Sequence, residues 1–252
     1  MKPHERQPQI EAIIRREGEV SVEMLAHRFD VSSETIRRDL GHLARHGRVQ
    51  KVHGGARRPQ LIREAGHDER ATTAAAAKAA IGRRLADAVQ PGETLFIDTG
   101  STTLAAADAL AVIPDLTVIT NSCRLAERLG RASRDATIHL LGGRYGRDNA
   151  QTTGLAVVEQ LQTFRADRAI LTVTALDPEE GAMDASLDEA QIARAMIRNA
   201  RSVIVLADAG KFGRQAAHAV CATVDIDLVI SDGQLEKAHR EALNNKGVEL
   251  WT

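Results

Sequence analysis

From residue 74 onward the chain keeps one rhythm: a short apolar run, a turn rich in Gly, Ser, Thr or Asn, then a helical stretch. The runs are Thr94–Ile97, Leu116–Ile119, Ile138–Leu141, Ala169–Val173, Val203–Ala207 and Leu228–Ile230. Helical periodicity intervenes at Thr103–Leu110, Cys123–Leu129, Leu155–Leu161 and Asp188–Ala200. Strands that are apolar throughout are buried on both faces, and the helices between them supply the cover. The pattern predicts an α/β fold with a parallel sheet, whose ligands bind beyond the carboxyl ends of the strands.

The first 57 residues read differently. Ile10, Ile13 and Ile14 lie at helical spacing within residues 5–17. Ser21 is placed to cap a second helix carrying Met24, Leu25 and Phe29. Ser32 is placed to cap a third, carrying Ile36, Leu40 and Leu43 and ending near Gly47. Arg48–Val52 then alternates like a strand until His53-Gly54-Gly55 breaks it. Three short helices and a basic hairpin predict a winged helix-turn-helix over residues 1–57, followed by a polar linker, residues 58–73, able to be partly helical.

Charge divides at the same place. Residues 1–58 hold 12 Lys/Arg against 8 Asp/Glu, and the remainder 21 against 26. A basic head on an acidic body fits a polyanion partner for the head. With Ile36, Leu40 and Leu43 turned inward, Ser33, Thr35, Arg37 and Arg38 face outward on the third helix. Arg48, Lys51 and His53 lie on or beside the wing, where they suit DNA phosphates and base edges. A solvated amphipathic helix with ordinary arginines accounts for these residues equally well.

Of the 252 residues 43% are hydrophobic and 27% charged, which excludes wholesale disorder. Two cysteines, Cys123 and Cys221, make no disulfide framework, and no apolar run approaches the roughly 18 residues of a membrane span. A cytoplasmic protein is expected. The sequence contains no HExxH, GxxxxGK or GxSxG and no Cys/His ligand cluster, so neither metal nor cofactor is expected.

The turns after the strands carry the body's chemistry. Leu95–Ile97 runs into Asp98-Thr99-Gly100-Ser101-Thr102-Thr103, where a helix start and several hydroxyls suit an oxyanion. Asp98 suits a sugar hydroxyl there, or braces the loop. Asp-Thr-Gly is also the aspartic-protease motif, but that chemistry needs two such carboxylates on β-rich lobes and this chain has one, before a helix. Asn121 follows the second strand, Gly142-Gly143 the third, and Asp208-Ala209-Gly210-Lys211 the fifth. Lys211 supplies a cation near a strand end. Three functions remain open from the residues: a DNA-binding regulator, an enzyme with Asp98, Glu189 or Asp208 as candidate base, and an adaptor with no small ligand.

Val31-Ser32, Thr35-Ile36-Arg37-Arg38-Asp39-Leu40 and His53-Gly54-Gly55-Ala56 together resemble the signature of the DeoR family of bacterial transcriptional regulators. The strand-end motifs resemble the sensor domain of the same family, and the likeness runs from about residue 6 to residue 232. It implies that Thr35, Arg37 and Arg38 lie at the DNA surface, with Asp39 orienting a neighbouring arginine. It implies a sensor fold shared with ribose-5-phosphate isomerases and CoA transferases, in an effector-sensing and oligomerisation domain over residues 74–252. The implied effector is a phosphorylated sugar or polyol, held by Asp98, Gly100, Ser101, Thr102, Thr103, Asn121 and Lys211, with Glu189 at a matching step. The implied protein is a repressor of a sugar or polyol catabolic operon, bound to double-stranded operator DNA as a dimer or tetramer, and not an enzyme. Phe164–Asp167 and Lys211–Arg214 lean toward the glycerol-3-phosphate type of repressor. Thr174-Ala175-Leu176 stands where the family usually has glycines, and is expected to reshape the pocket floor.

Overall fold

A computed structural model of the chain describes residues 1–45, 47–59, 61–62 and 65–252. His46, before the expected end of the third helix, and Gln60, Arg63 and Glu64 of the expected linker lie outside the described residues. The chain divides into two compact units, residues 1–62 with 213–215, and residues 63–212 with 216–252.

In the first unit α1 (Pro3–Glu17), β1 (Glu19–Ser21), α2 (Val22–Phe29) and α3 (Ser33–Arg45) are followed by β2 (Gln50–Val52) and β3 (Gly55–Arg57). The Ser21 hydroxyl accepts the Met24 amide at 3.1 Å and the Ser32 hydroxyl that of Thr35 at 3.2 Å, so both expected caps are made. Ile10, Ile14, Leu25, Ile36 and Leu40 form the centre of the core, each side chain contributing roughly 1.5–3 kcal/mol by burial. The wing strand is shorter than the sequence pattern, because the Arg48 amide turns back to the Leu43 carbonyl at 2.9 Å. β1, too short to show alternation, pairs antiparallel with β3, which also pairs with β2. A Cβ on Gly55 would lie 2.1 Å from the Val20 carbonyl oxygen, so this close pairing requires glycine.

The second unit runs α4 (His67–Thr72), α5 (Ala75–Ala88), β4 (Thr94–Ile97), α6 (Ser101–Leu110), β5 (Thr117–Thr120), α7 (Cys123–Ala132) and β6 (Thr137–Leu140). It continues through β7 (Arg144–Gly146), β8 (Gln151–Thr153), α8 (Leu155–Gln162), β9 (Ala166–Thr172), β10 (Ala175–Asp177), β11 (Gly181–Asp184) and α9 (Leu187–Arg198). It closes with β12 (Ala200–Leu206), β13 (His218–Cys221), β14 (Leu228–Ile230), α10 (Lys237–Asn245) and β15 (Glu249–Trp251). Every apolar run of the sequence is a strand of one seven-stranded parallel sheet, in the order β15-β14-β12-β9-β4-β5-β6. Alternate residues serve opposite faces. Leu95, Ile97, Ile170 and Ile204 pack under α5, α6 and α7 through Leu85, Leu110 and Leu125. Phe96, Leu171 and Val205 pack against α8, α9 and α10 through Leu161, Met196 and Leu243.

Three details depart from the sequence pattern. α9 stops at Arg198 because Ala200 already pairs with Ala166 in the sheet. Between the third and fourth apolar runs, where the sequence pattern shows no strand, Arg144–Gly146 and Gln151–Thr153 pair as the hairpin β7–β8. Thr174-Ala175-Leu176 does not form a pocket floor: Ala175 and Leu176 enter β10 of a small antiparallel sheet, β10-β11-β13, and are fully buried there.

The chain leaves β4 toward β5 and β6, then returns to place β9 on the other side of β4. The carboxyl ends of β4 and β9 therefore flank the point where strand order reverses, the usual ligand crevice of such sheets.

Candidate functional site

On α3, Ile36 and Leu40 are buried while Arg37 and Arg38 are exposed and Ser33 and Thr35 half-buried, giving the outward polar face that the sequence pattern predicts. Among the described residues Arg37 and Arg38 reach only the exposed Glu34, at 4.0 and 3.4 Å, and such surface pairs hold arginines loosely. Asp39 points inward. It accepts from Arg6 Nε at 2.6 Å and from Gln7 Nε2 at 2.9 Å, so the arginine that it orients belongs to α1. On the wing Lys51 and His53 are exposed, whereas Arg48 is half-buried, 4.0 Å from Glu11.

At the switch point of the second unit lies a small polar cavity of about 10 Å³, lined by Arg70, Asp98, Thr99, Asn121, Gln151, Thr172, Val173, Asp184, Glu189 and Ile192. Asp98, at the end of β4, is buried, and both its carboxylate oxygens accept the Thr172 amide at 3.0 Å. Burial holds the Asp98 carboxyl well above the usual carboxylate range. The Thr172 amide and Lys211 pull it down, and Asp184 and Glu189 add to the rise. Protonated, Asp98 can donate to a ligand oxygen. Asn121 donates to the Thr152 carbonyl at 3.0 Å, while its own Oδ1 is buried without a partner among the described residues. A buried acceptor left open in a polar cavity suits a ligand hydroxyl. Glu189, in the first turn of α9, accepts from Asn149 at 2.8 Å and also from Gln151.

The structure thus brings Asp98, Asn121 and Glu189 into one cavity. Gly100, Ser101, Thr102, Thr103 and Lys211 do not line it. A Cβ on Gly100 would lie 2.3 Å from Thr172 Oγ1, so only glycine lets α6 start this close to β9. Thr103 donates to the Asp98 and Gly100 carbonyls at 3.1 and 3.0 Å, so its hydroxyl shapes the loop. The Thr102 hydroxyl is buried and has no partner. Lys211, in a single helical turn after β12, donates to the Val173 carbonyl. Asp208 caps that turn through the Gly210 amide at 3.0 Å and does not line the cavity.

Five residues of the site escaped the sequence pattern. Arg70 lies in a polar stretch without periodicity, and Asn149 and Gln151 in a segment with no motif. Thr172 and Asp184 become visible only once β9 is known to neighbour β4. The Thr174 hydroxyl donates to Asp184 at 3.2 Å and braces that carboxylate.

A winged helix-turn-helix unit, joined in one chain to a parallel α/β unit with a polar cavity at its switch point, is the build of a two-part transcriptional regulator. Residues 6–60 match the DeoR-like helix-turn-helix domain, and residues 73–233 the DeoR C terminal sensor domain. The chain belongs to the DeoR family of transcriptional regulators. It is 32% identical over 99% of its length, and 99% of the relative's, to the glycerol-3-phosphate regulon repressor of Escherichia coli. It is 31% identical to the HTH-type transcriptional repressor GlcR of Bacillus subtilis, over 99% of this chain and 96% of the relative. Ribose 5-phosphate isomerase A from Methanocaldococcus jannaschii aligns with 54% of this chain and 53% of its own, at 15% identity and TM-score 0.38. With repressors as its full-length relatives, the chain is a regulator and not an enzyme. Among the described residues no helix is long and apolar enough to cross a membrane.

Proposed function

We propose that this regulator represses a sugar or polyol catabolic operon and is controlled by a phosphorylated sugar or polyol bound at the β4–β9 switch point. The reading divides the chain into a DNA-binding domain over residues 1–57, a linker over residues 58–73 and an effector-sensing, self-associating domain over residues 74–252, acting in the cytoplasm.

The observation that carries the effector class is the cavity itself. Asp98, Asn121 and Glu189 offer a buried carboxyl held above its usual range, an open amide oxygen and a carboxylate, which suit the hydroxyls of a polyol. Beside them α6 begins at Gly100, and its first amides, the Ser101 and Thr102 hydroxyls and Lys211 suit a phosphate. The full-length relative named for the glycerol-3-phosphate regulon supports this class.

In the head, Ser33, Thr35, Arg37 and Arg38 read the major groove, and Arg48, Lys51 and His53 meet the backbone. Two or more heads engage half-sites together, which requires self-association. Effector and DNA then favour different arrangements of the protein, and each weakens the other by the same factor. Calorimetric titration of the full chain with glycerol-3-phosphate and with hexose and pentose phosphates tests the effector class: one of them binds, and the unphosphorylated sugar does not. Equal binding of the free sugar contradicts it.

A further inference from the structure

The cavity wall carries three carboxylates, from Asp98, Asp184 and Glu189, and one arginine that comes from outside the sheet and its crossover helices. Arg70 sits on α4, the short helix that follows the linker stretch. It is tied on several sides. Its Nη2 donates to Asn149 Oδ1, its Nε to the Ala65 carbonyl at 2.9 Å, and its own carbonyl accepts from Lys78. Asn149 in turn donates to Glu189 at 2.8 Å, completing a chain Arg70–Asn149–Glu189 across the cavity. His67, at the start of α4, fastens the same segment by donating its amide to Asp148 at 3.2 Å.

The volume, about 10 Å³, holds at most about one water. A sugar phosphate needs far more room, so something in the wall must move to admit it. Its charge would also meet the carboxylates of Asp184 and Glu189. A guanidinium is the planar, two-pronged donor that fits a phosphate, and it is already at this wall.

Resting on the proposed effector class, we infer that Arg70 is both a ligand-binding residue and the link between effector and linker. The effector's phosphate takes the Arg70 guanidinium away from Asn149 Oδ1. Asn149 and Glu189 turn to ligand hydroxyls, and the exchange shifts the Ala65–Thr72 segment through the Nε bond to Ala65. Effector occupancy is thereby reported on the stretch of chain that leads to the DNA-binding unit.

The test uses the full-length protein, wild type, Arg70→Gln and Arg70→Lys, with glycerol-3-phosphate, hexose and pentose phosphates and inorganic phosphate as probes. Calorimetry gives affinity, hydrogen exchange of residues 65–72 gives the shift, and operator binding is measured without any phosphate. Arg70→Gln is expected to weaken the phosphate that binds wild type by roughly 10–150-fold, the span of a hydrogen bond to a charged group. It is expected to abolish the ligand-induced change in exchange. Arg70→Lys keeps the cation, recovers part of the affinity, and carries the test if the Gln variant fails to fold. Wild-type affinity in Arg70→Gln, or unchanged exchange at residues 65–72 when wild type binds, overturns the inference and leaves the effector class standing. If no phosphate binds wild type, the effector class fails and the Arg70 role falls with it.

Discussion

Thr172, the last residue of β9, gives its backbone N–H to both carboxylate oxygens of Asp98 beyond the end of β4, at 3.0 Å each. That contact closes the sheet at its switch point and fixes a buried carboxyl of the cavity whose pKa is strongly raised. An unfolded aspartate ionises near pH 4, so over the pH range above that the native state keeps a proton that the unfolded chain has lost. Stability conferred by the protonated form is therefore lost as pH rises through the folded pKa. Asp98→Asn keeps the acceptor for Thr172 and has no charge to bury. Its melting temperature is expected to gain on wild type as pH rises above the unfolded pKa near 4, until the folded pKa is passed. Parallel pH profiles for the two proteins would show that Asp98 ionises normally.

The Arg6–Asp39 pair joins α1 to α3 at 2.6 Å with both side chains 4% exposed. Asp39→Ala leaves a buried guanidinium without its counter-charge, which costs about 3–5 kcal/mol. The expected result is loss of operator binding through unfolding of the head, with phosphate binding by the other unit intact. Arg6→Met combined with Asp39→Leu is expected to recover most of the stability, since replacing a buried pair by apolar groups is often neutral. Denaturant titrations of the single and double variants measure both.

Arg37 and Arg38 are exposed on α3 with only Glu34 to hold them. Arg37→Ala and Arg38→Ala are each expected to weaken operator binding without altering thermal stability or phosphate affinity. Where the arginine meets a phosphate, the slope of log affinity against log salt falls by about 1. An arginine reading a base instead relaxes sequence preference at one position and costs about 1–3 kcal/mol.

Lys211 holds the Val173 carbonyl at the end of β9 and its charge bears on Asp98. Lys211→Ala is expected to give a repressor that binds its operator normally and responds poorly to effector. A normal effector response in this variant would remove Lys211 from the site.

Much of this fold is legible in the sequence, because the sheet is buried on both faces and its strands read as unbroken apolar runs between helices. The third helix is equally legible: Ser32 caps it, and Ile36, Leu40 and Leu43 set its phase. What the residues hide is set by pairing rather than by pattern. β1 exists because Gly55 lets β3 close on Val20, and no three-residue alternation announces it. Asp98 and Asn121 stand out because they follow strands, yet Thr172 and Asp184 join them only through the strand order. Arg70 reaches the cavity from a helix that no apolar periodicity marks. Thr174 spends its hydroxyl on Asp184 instead of lining the cavity.

The reciprocal coupling of effector and DNA is tested most directly by fluorescence anisotropy of labelled DNA from upstream of the protein's own gene. Full-length protein is titrated at fixed salt, alone and with each sugar or polyol phosphate. Saturable, sequence-specific binding is expected, shifted by one phosphate by roughly 5–150-fold, with an equal shift in that phosphate's affinity when operator DNA is present. Specific binding that no phosphate changes, even one that the protein demonstrably binds, would contradict it.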